Sequence, residues 1–131
     1  MTTTLKITDQ STSGQSLGES MLELLTERIT VRELIRSRVH QEVKDHNAST
    51  RSTFRGLVRP EGATHEGGGF RFSAPRTIDW SKQFETAVEA FERRQILILL
   101  DGKQLSELDE EITVMPKSEV TFVKLLPLVG G

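Results

Sequence analysis

One stretch of this chain leaves little choice of local structure. Thr30-Val31-Arg32-Glu33 sets a threonine three residues ahead of a glutamate. That is the capping-box spacing, in which each side chain satisfies an orphan backbone N–H of the other residue. Behind it, Val31, Leu34, Ile35, Val39 and Val43 recur at helical spacing, while Arg32, Arg36, Glu42 and Lys44 occupy the other faces. The spacing predicts a helix from Thr30 to Asn47 with one apolar stripe. A helix striped on one side needs a surface on which to bury the stripe, and flanking strands are the natural supplier.

The flanks read as strands. Leu5 to Gln10, "LKITDQ", alternates apolar and polar residues, the period of a half-buried strand. Ser11 to Gly18 is small, polar and punctuated by glycine, a turn or loop. Ser20 to Glu27 then reads as a second strand forming a hairpin with the first. Further along, "ILILL" (Ile96 to Leu100) is continuously apolar, as in a buried strand, and Asp101-Gly102 is a turn signal. A short edge strand or turn is expected around Ile112 and Val114. "SEVTFVKLL" is the last strand, with Val120, Phe122 and Leu125 expected on one side and Thr121 and Lys124 on the other.

Residues 48–78 change character. Glycine, serine, threonine and proline are dense, and Gly67, Gly68 and Gly69 are consecutive. Two short segments, "TFRGLV" and "FRFS", can pair as small strands, and the remainder reads as loop. A second helix follows in "DWSKQFETAVEAFERRQ", capped by Asp79 or Ser81, with Phe84, Ala87, Val88 and Phe91 as its apolar face. The expected architecture is α+β: a hairpin, a crossover helix on one face of a mixed sheet, an inserted loop plus second helix over about 48–90, and later strands. The first and last strands can lie side by side in its middle. Length favours a single domain spanning 1–131.

Composition removes several classes of function. With no cysteine there is no disulfide, thiolate metal site or cysteine nucleophile. "MTTTLKITDQ" lacks the basic and apolar regions of a signal peptide, and "ILILL" is far too short to span a membrane. A cytoplasmic protein with no membrane partner is expected. His40 and His46 are six apart on the helix, not the four that places two ligands on one face. Together with His65 they are expected to be solvated, with no metal bound. "HEGGGF" lacks the lysine and the strand-to-helix context of a phosphate loop. No Ser/His/Asp set or paired-carboxylate site stands out, so no catalytic residue is assigned and the chain is not expected to be an enzyme.

Net charge is −2, unevenly spread. Residues 28–76 hold ten Lys/Arg against five Asp/Glu, leaving seven against fourteen elsewhere. The helix arginines are interleaved with Glu33 and Glu42 and have no aromatic stacking set beside them, so a solvated face is expected and nucleic acid is not. RNA binding would rest on Arg32 and Arg36. Glu107, Asp109, Glu110 and Glu111 form an acidic cluster that reads as a solubilising loop or as steering towards a basic enzyme.

The stretch Leu125 to Gly131, "LLPLVGG", carries the sharpest chemistry. Pro127 cannot donate a ladder hydrogen bond and so ends sheet pairing. Leu128 and Val129, if they project, offer apolar grip to a partner. Gly130 and Gly131 have no Cβ, so the backbone can thread a narrow channel. Read as a chain end, 127–131 is a flexible tail delivering a carboxylate, which becomes electrophilic once a nucleotide activates it.

These residues resemble the ubiquitin-like β-grasp family, most closely the sulfur carriers of molybdopterin and thiamine synthesis. The resemblance rests on "ILILLDGK", on "SEVTF", on Pro127 through Gly131 and on "TVRELI" at the start of the helix, covering roughly residues 3–46 and 90–131. Two departures stand out: residues 48–90 are an insertion, and Lys117-Ser118 replaces the family's Gly-Asp. The resemblance implies activation of the Gly131 carboxylate by an E1-like adenylating enzyme that uses ATP, with no cofactor bound by this chain. Gly131 would then become a thiocarboxylate and donate sulfur to a biosynthetic enzyme. Alternatively, it would form an isopeptide bond to lysines of target proteins. A reading of another class is a β-grasp binding or scaffold module whose terminus is inert.

Overall fold

The computed structural model describes residues 2–49 and 51–125. Strand β1 (Thr3–Ser11) and strand β2 (Ser16–Leu24) form an antiparallel hairpin. A turn stabilised by the Gly14 N–H to Ser11 carbonyl bond (3.0 Å) joins them. The expected hairpin is present, with a connection shorter than Ser11 to Gly18: β2 begins at Ser16, and a register shift at Asp9/Gln10 absorbs the irregularity.

Three-residue β3 (Arg28–Thr30) leads into helix α1 (Val31–Ala48). Both halves of the capping box form: the Glu33 N–H donates to Thr30 Oγ1 (3.1 Å) and the Thr30 N–H donates to Glu33 Oε1 (3.2 Å). Two more first-turn donors, the N–H groups of Val31 and Arg32, bond to the carbonyls of Glu110 and Leu108. All five predicted stripe residues are buried. Each contributes on the order of 1.5–3 kcal/mol by leaving water, as an upper bound.

After α1 the insert forms β4 (Thr53–Phe54), β5 (Thr64–Glu66) and β6 (Gly69–Arg71). They make a three-stranded antiparallel sheet in the order β4-β6-β5. The anticipated pairing of the segments around Phe54 and Phe70 is there, and β5 adds a strand where loop was expected. Helix α2 (Trp80–Glu92) is capped by Asp79, whose carboxylate accepts from the N–H groups of Ser81 and Lys82 and is held below its usual pKa mainly by the Lys82 N–H and then the Ser81 hydroxyl. On α2, Ala87 and Phe91 are buried as expected, and Gln83 and Ala90 join them, while Phe84 and Val88 are half-buried.

The chain then runs through β7 (Ile96–Leu100), β8 (Lys103–Leu105), β9 (Glu111–Thr113) and β10 (Glu119–Lys124). Asp101 (φ 49°) and Gly102 (φ 86°) make the two-residue turn between β7 and β8 with both φ positive, the twist that suits tight hairpins. The main sheet is mixed, in the order β2-β1-β10-β7-β8, with β1 and β10 parallel at its centre. Strands β3 and β9 pair separately.

The sheet face carrying Leu5, Ile7, Val120, Phe122, Ile96 and Ile98 is buried in one apolar cluster that also includes the α1 stripe. The insert contributes Phe54, Leu57, Phe70 and Phe72 to the same cluster. The architecture is therefore α+β with a mixed sheet. No helix among the described residues is long and apolar enough to cross a membrane.

Candidate functional site

Pro127, Leu128, Val129, Gly130 and Gly131 lie outside the described residues, so the structure reaches the expected tail only at its root. That root is the end of β10, where Lys124 is the last strand residue and the Leu125 N–H donates to the Gln95 carbonyl (3.0 Å). The site built around it is a cluster of four charged side chains.

Strand periodicity puts Lys124 on the side of Val120 and Phe122, where it is buried, and Leu125 lies past the end of the strand. This corrects the expectation that Lys124 shares the side of Thr121: residues 120, 122 and 124 are in phase. By the same period Asp9 follows Leu5 and Ile7 on β1. On α1, Arg38 lies four residues after Leu34, and Glu42 four after Arg38, so both project from the edge of the apolar stripe.

These residues meet at one end of the core. Arg38 clamps Asp9 with both terminal nitrogens, Nη1 to Oδ1 at 2.5 Å and Nη2 to Oδ2 at 2.7 Å, and its Nε donates to Glu42 Oε2 at 3.3 Å. The guanidinium carbon sits 4.5 Å from the centre of the Phe122 ring. Lys124 Nζ lies 3.8 Å from Asp9 Oδ2 and donates to the Gly56 carbonyl at 2.7 Å. Glu42 Oε1 accepts the Leu57 N–H at 2.9 Å. The cluster therefore balances two cations with two carboxylates. It also reaches from the sheet to the backbone of the insert.

Burial dominates the electrostatics. It pushes the Glu42 carboxyl above the usual carboxylate range, against the pull of Arg38 and of the Leu57 N–H. It pushes the Lys124 ammonium below the usual lysine value, with Asp9 opposing. Burial also works against the Arg38 guanidinium, but Glu42 and Asp9 outweigh it and hold that group above the ordinary arginine value. Each buried side-chain polar atom among the described residues has a hydrogen-bond partner, so the arrangement is a satisfied network.

Two other sequence expectations are corrected here. Arg38 is not on a solvated helix face, because its phase places it over Phe122. His46 is buried rather than solvated: its Nε2 lies 2.8 Å from the Arg76 carbonyl and its ring packs against Phe54 and Phe72 of the insert. His40 is exposed, edge-on to Trp80 at 5.3 Å, and His65 lies against Phe70 at 5.2 Å. No metal-holding group of His, Asp and Glu occurs among the described residues. The acidic cluster sits at the start of α1, where Asp109 pairs with Arg32 (3.4 Å) and the negative charge complements the helix dipole.

Comparison with family models, with curated proteins and with solved structures finds no match to this chain.

Proposed function

We propose that the chain is a small carrier of the ubiquitin-like β-grasp type, whose chemistry is done on the Gly131 carboxylate by partner enzymes and not by a catalytic residue of its own. The observation that carries this reading is the place of β10. It is the central strand, parallel to β1, and in the sequence Pro127-Leu128-Val129-Gly130-Gly131 follow with two residues between them and its end at Lys124. The order of hairpin, helix and late central strand supports a β-grasp with α1 as its crossover helix.

In this reading the Gly131 carboxylate attacks the α-phosphate of ATP on an E1-like enzyme and releases pyrophosphate. A sulfur donor then displaces AMP from the acyl-adenylate, leaving a thiocarboxylate that passes its sulfur to a cytoplasmic biosynthetic enzyme. Leu128 and Val129 supply the grip for these partners, and Pro127, with no N–H, offers no ladder donor. The chain binds no cofactor, since ATP is consumed by the partner.

Incubation with an adenylating enzyme, ATP and sulfide, followed by intact-mass spectrometry, tests the reading. One oxygen should be replaced by one sulfur at Gly131. No mass change, with full cellular function after deletion of Gly130 and Gly131, overturns it and leaves the scaffold reading. A second reading, conjugation of Gly131 to target lysines, is favoured by the insert, whose packed sheet and second helix exceed what a minimal carrier needs. Lysine remnants linked to Gly131 in cells would select it.

A further inference from the structure

Between the insert, α2 and the end of β10 lies a groove of about 580 Å³. Its apolar lining includes Leu57, Phe70, Ala90, Ile96 and Leu125. Arg59 and His65 stand on its rim, and among the described residues lining it there is no Asp or Glu. Gly67, Gly68 and Gly69 leave part of the rim free of side chains. His65 belongs to β5, the outer strand of the small sheet, all three residues of which are exposed. An outer strand presents unpaired backbone groups to an incoming chain.

We infer that this groove docks an extended, acidic and apolar segment of a partner protein. The segment adds alongside β5 by main-chain hydrogen bonds, as strand-addition ligands do. It lowers an apolar side chain between Phe70 and Ile96 and sets a carboxylate against Arg59. The exposed strand edge favours a peptide over a compact small molecule, and Arg59 selects the sign of the charge, since Glu66 on β5 is paired with Arg71 and does not line the groove. The inference concerns the insert and does not depend on what happens at Gly131.

Fluorescence anisotropy on the full chain tests it with two labelled hexapeptides, one alternating Leu and Asp, the other alternating Leu and Lys. The Leu/Asp peptide should bind saturably and at least about tenfold more tightly than Leu/Lys. Arg59→Glu should reverse that preference. Thr86→Trp, a change at an exposed groove position on α2, should weaken Leu/Asp binding about tenfold; circular dichroism checks that both variants are folded. Absent binding, equal affinity for the two peptides, or indifference to Thr86→Trp overturns the inference. Removing residues 126–131 separates a partner from the chain's own segment. Unchanged affinity supports the partner, whereas a gain of about tenfold assigns the groove to this chain's own residues and overturns it. Self-association abolished by Thr86→Trp would assign the groove to a second copy, with the same consequence.

Discussion

Arg38→Met removes the guanidinium that clamps Asp9 and bonds Glu42, while keeping a long apolar side chain to lie over Phe122. Two carboxylates then face a single ammonium, Lys124, in a region where Arg38 is only 6% exposed and Asp9 14%. Removing one partner of a buried ion pair costs about 3–5 kcal/mol, mainly because the remaining charge stays desolvated and uncompensated. An unfolding entropy of about 2.1 cal/mol/K per residue over 131 residues converts that loss to a fall in Tm of roughly 11–18 °C. Thermal denaturation by calorimetry measures it. The companion variant Arg38→Met/Asp9→Leu restores balance between Glu42 and Lys124, so it should lose about 2 kcal/mol less than the sum of the two single variants. A loss below about 1 kcal/mol for Arg38→Met, or additivity within about 0.5 kcal/mol in the cycle, refutes the claim that Arg38 compensates buried charge.

Lys124→Met gives a test of sign. Burial lowers the folded pKa of Lys124, so the unfolded chain holds that proton more tightly. The stability contributed by this group is complete above the ordinary value of 10.5 and is lost as pH falls through the depressed folded value. In urea titrations the stability of wild type relative to Lys124→Met should therefore rise towards pH 10.5, by no more than about 1.4 kcal/mol per pH unit; a flat difference sinks the assignment. Arg94, just past α2, has φ 59°, so Arg94→Gly should stabilise by about 1 kcal/mol in thermal denaturation. Gly102, at φ 86° in the β7–β8 turn, should cost about 1 kcal/mol or more on replacement by alanine, read in the same assay.

Much of the main sheet was legible because its signals are local. The capping box at Thr30 and Glu33, the Asp101-Gly102 turn and the alternation in Leu5 to Gln10 each specify their own element, and each is found. The candidate site was less legible for a physical reason. Charged residues are usually assigned to solvent by type, yet Asp9, Arg38 and Lys124 all stand in phase with buried neighbours: Asp9 two after Ile7, Arg38 three after Ile35, Lys124 two after Phe122. Strict application of the period would have flagged them. What periodicity could not supply was their meeting, since β1, α1 and β10 are far apart in sequence and only the parallel pairing of β1 with β10 brings them together. β3, β5 and β8, at three residues each, carry too few residues for any period to show.

The cluster also explains why four charges occur in an otherwise apolar layer. The chain of the insert crosses the end of the sheet at Gly56 and Leu57, and both residues are buried. A Cβ at Gly56 would collide with the Phe54 ring, so the backbone there runs too close to its surroundings for any larger residue. The Gly56 carbonyl bonds to Lys124 Nζ and the Leu57 N–H to Glu42 Oε1. A buried backbone group left without a partner costs about 1–3 kcal/mol, so Lys124 and Glu42 are needed wherever the insert takes this path. Both are charged, and neither would be tolerated there alone; Arg38 and Asp9 supply the opposite charges. The same four residues thus bind the insert to the sheet and fix the last strand residue before Leu125, which makes the end of β10 and the insert two ends of one polar network.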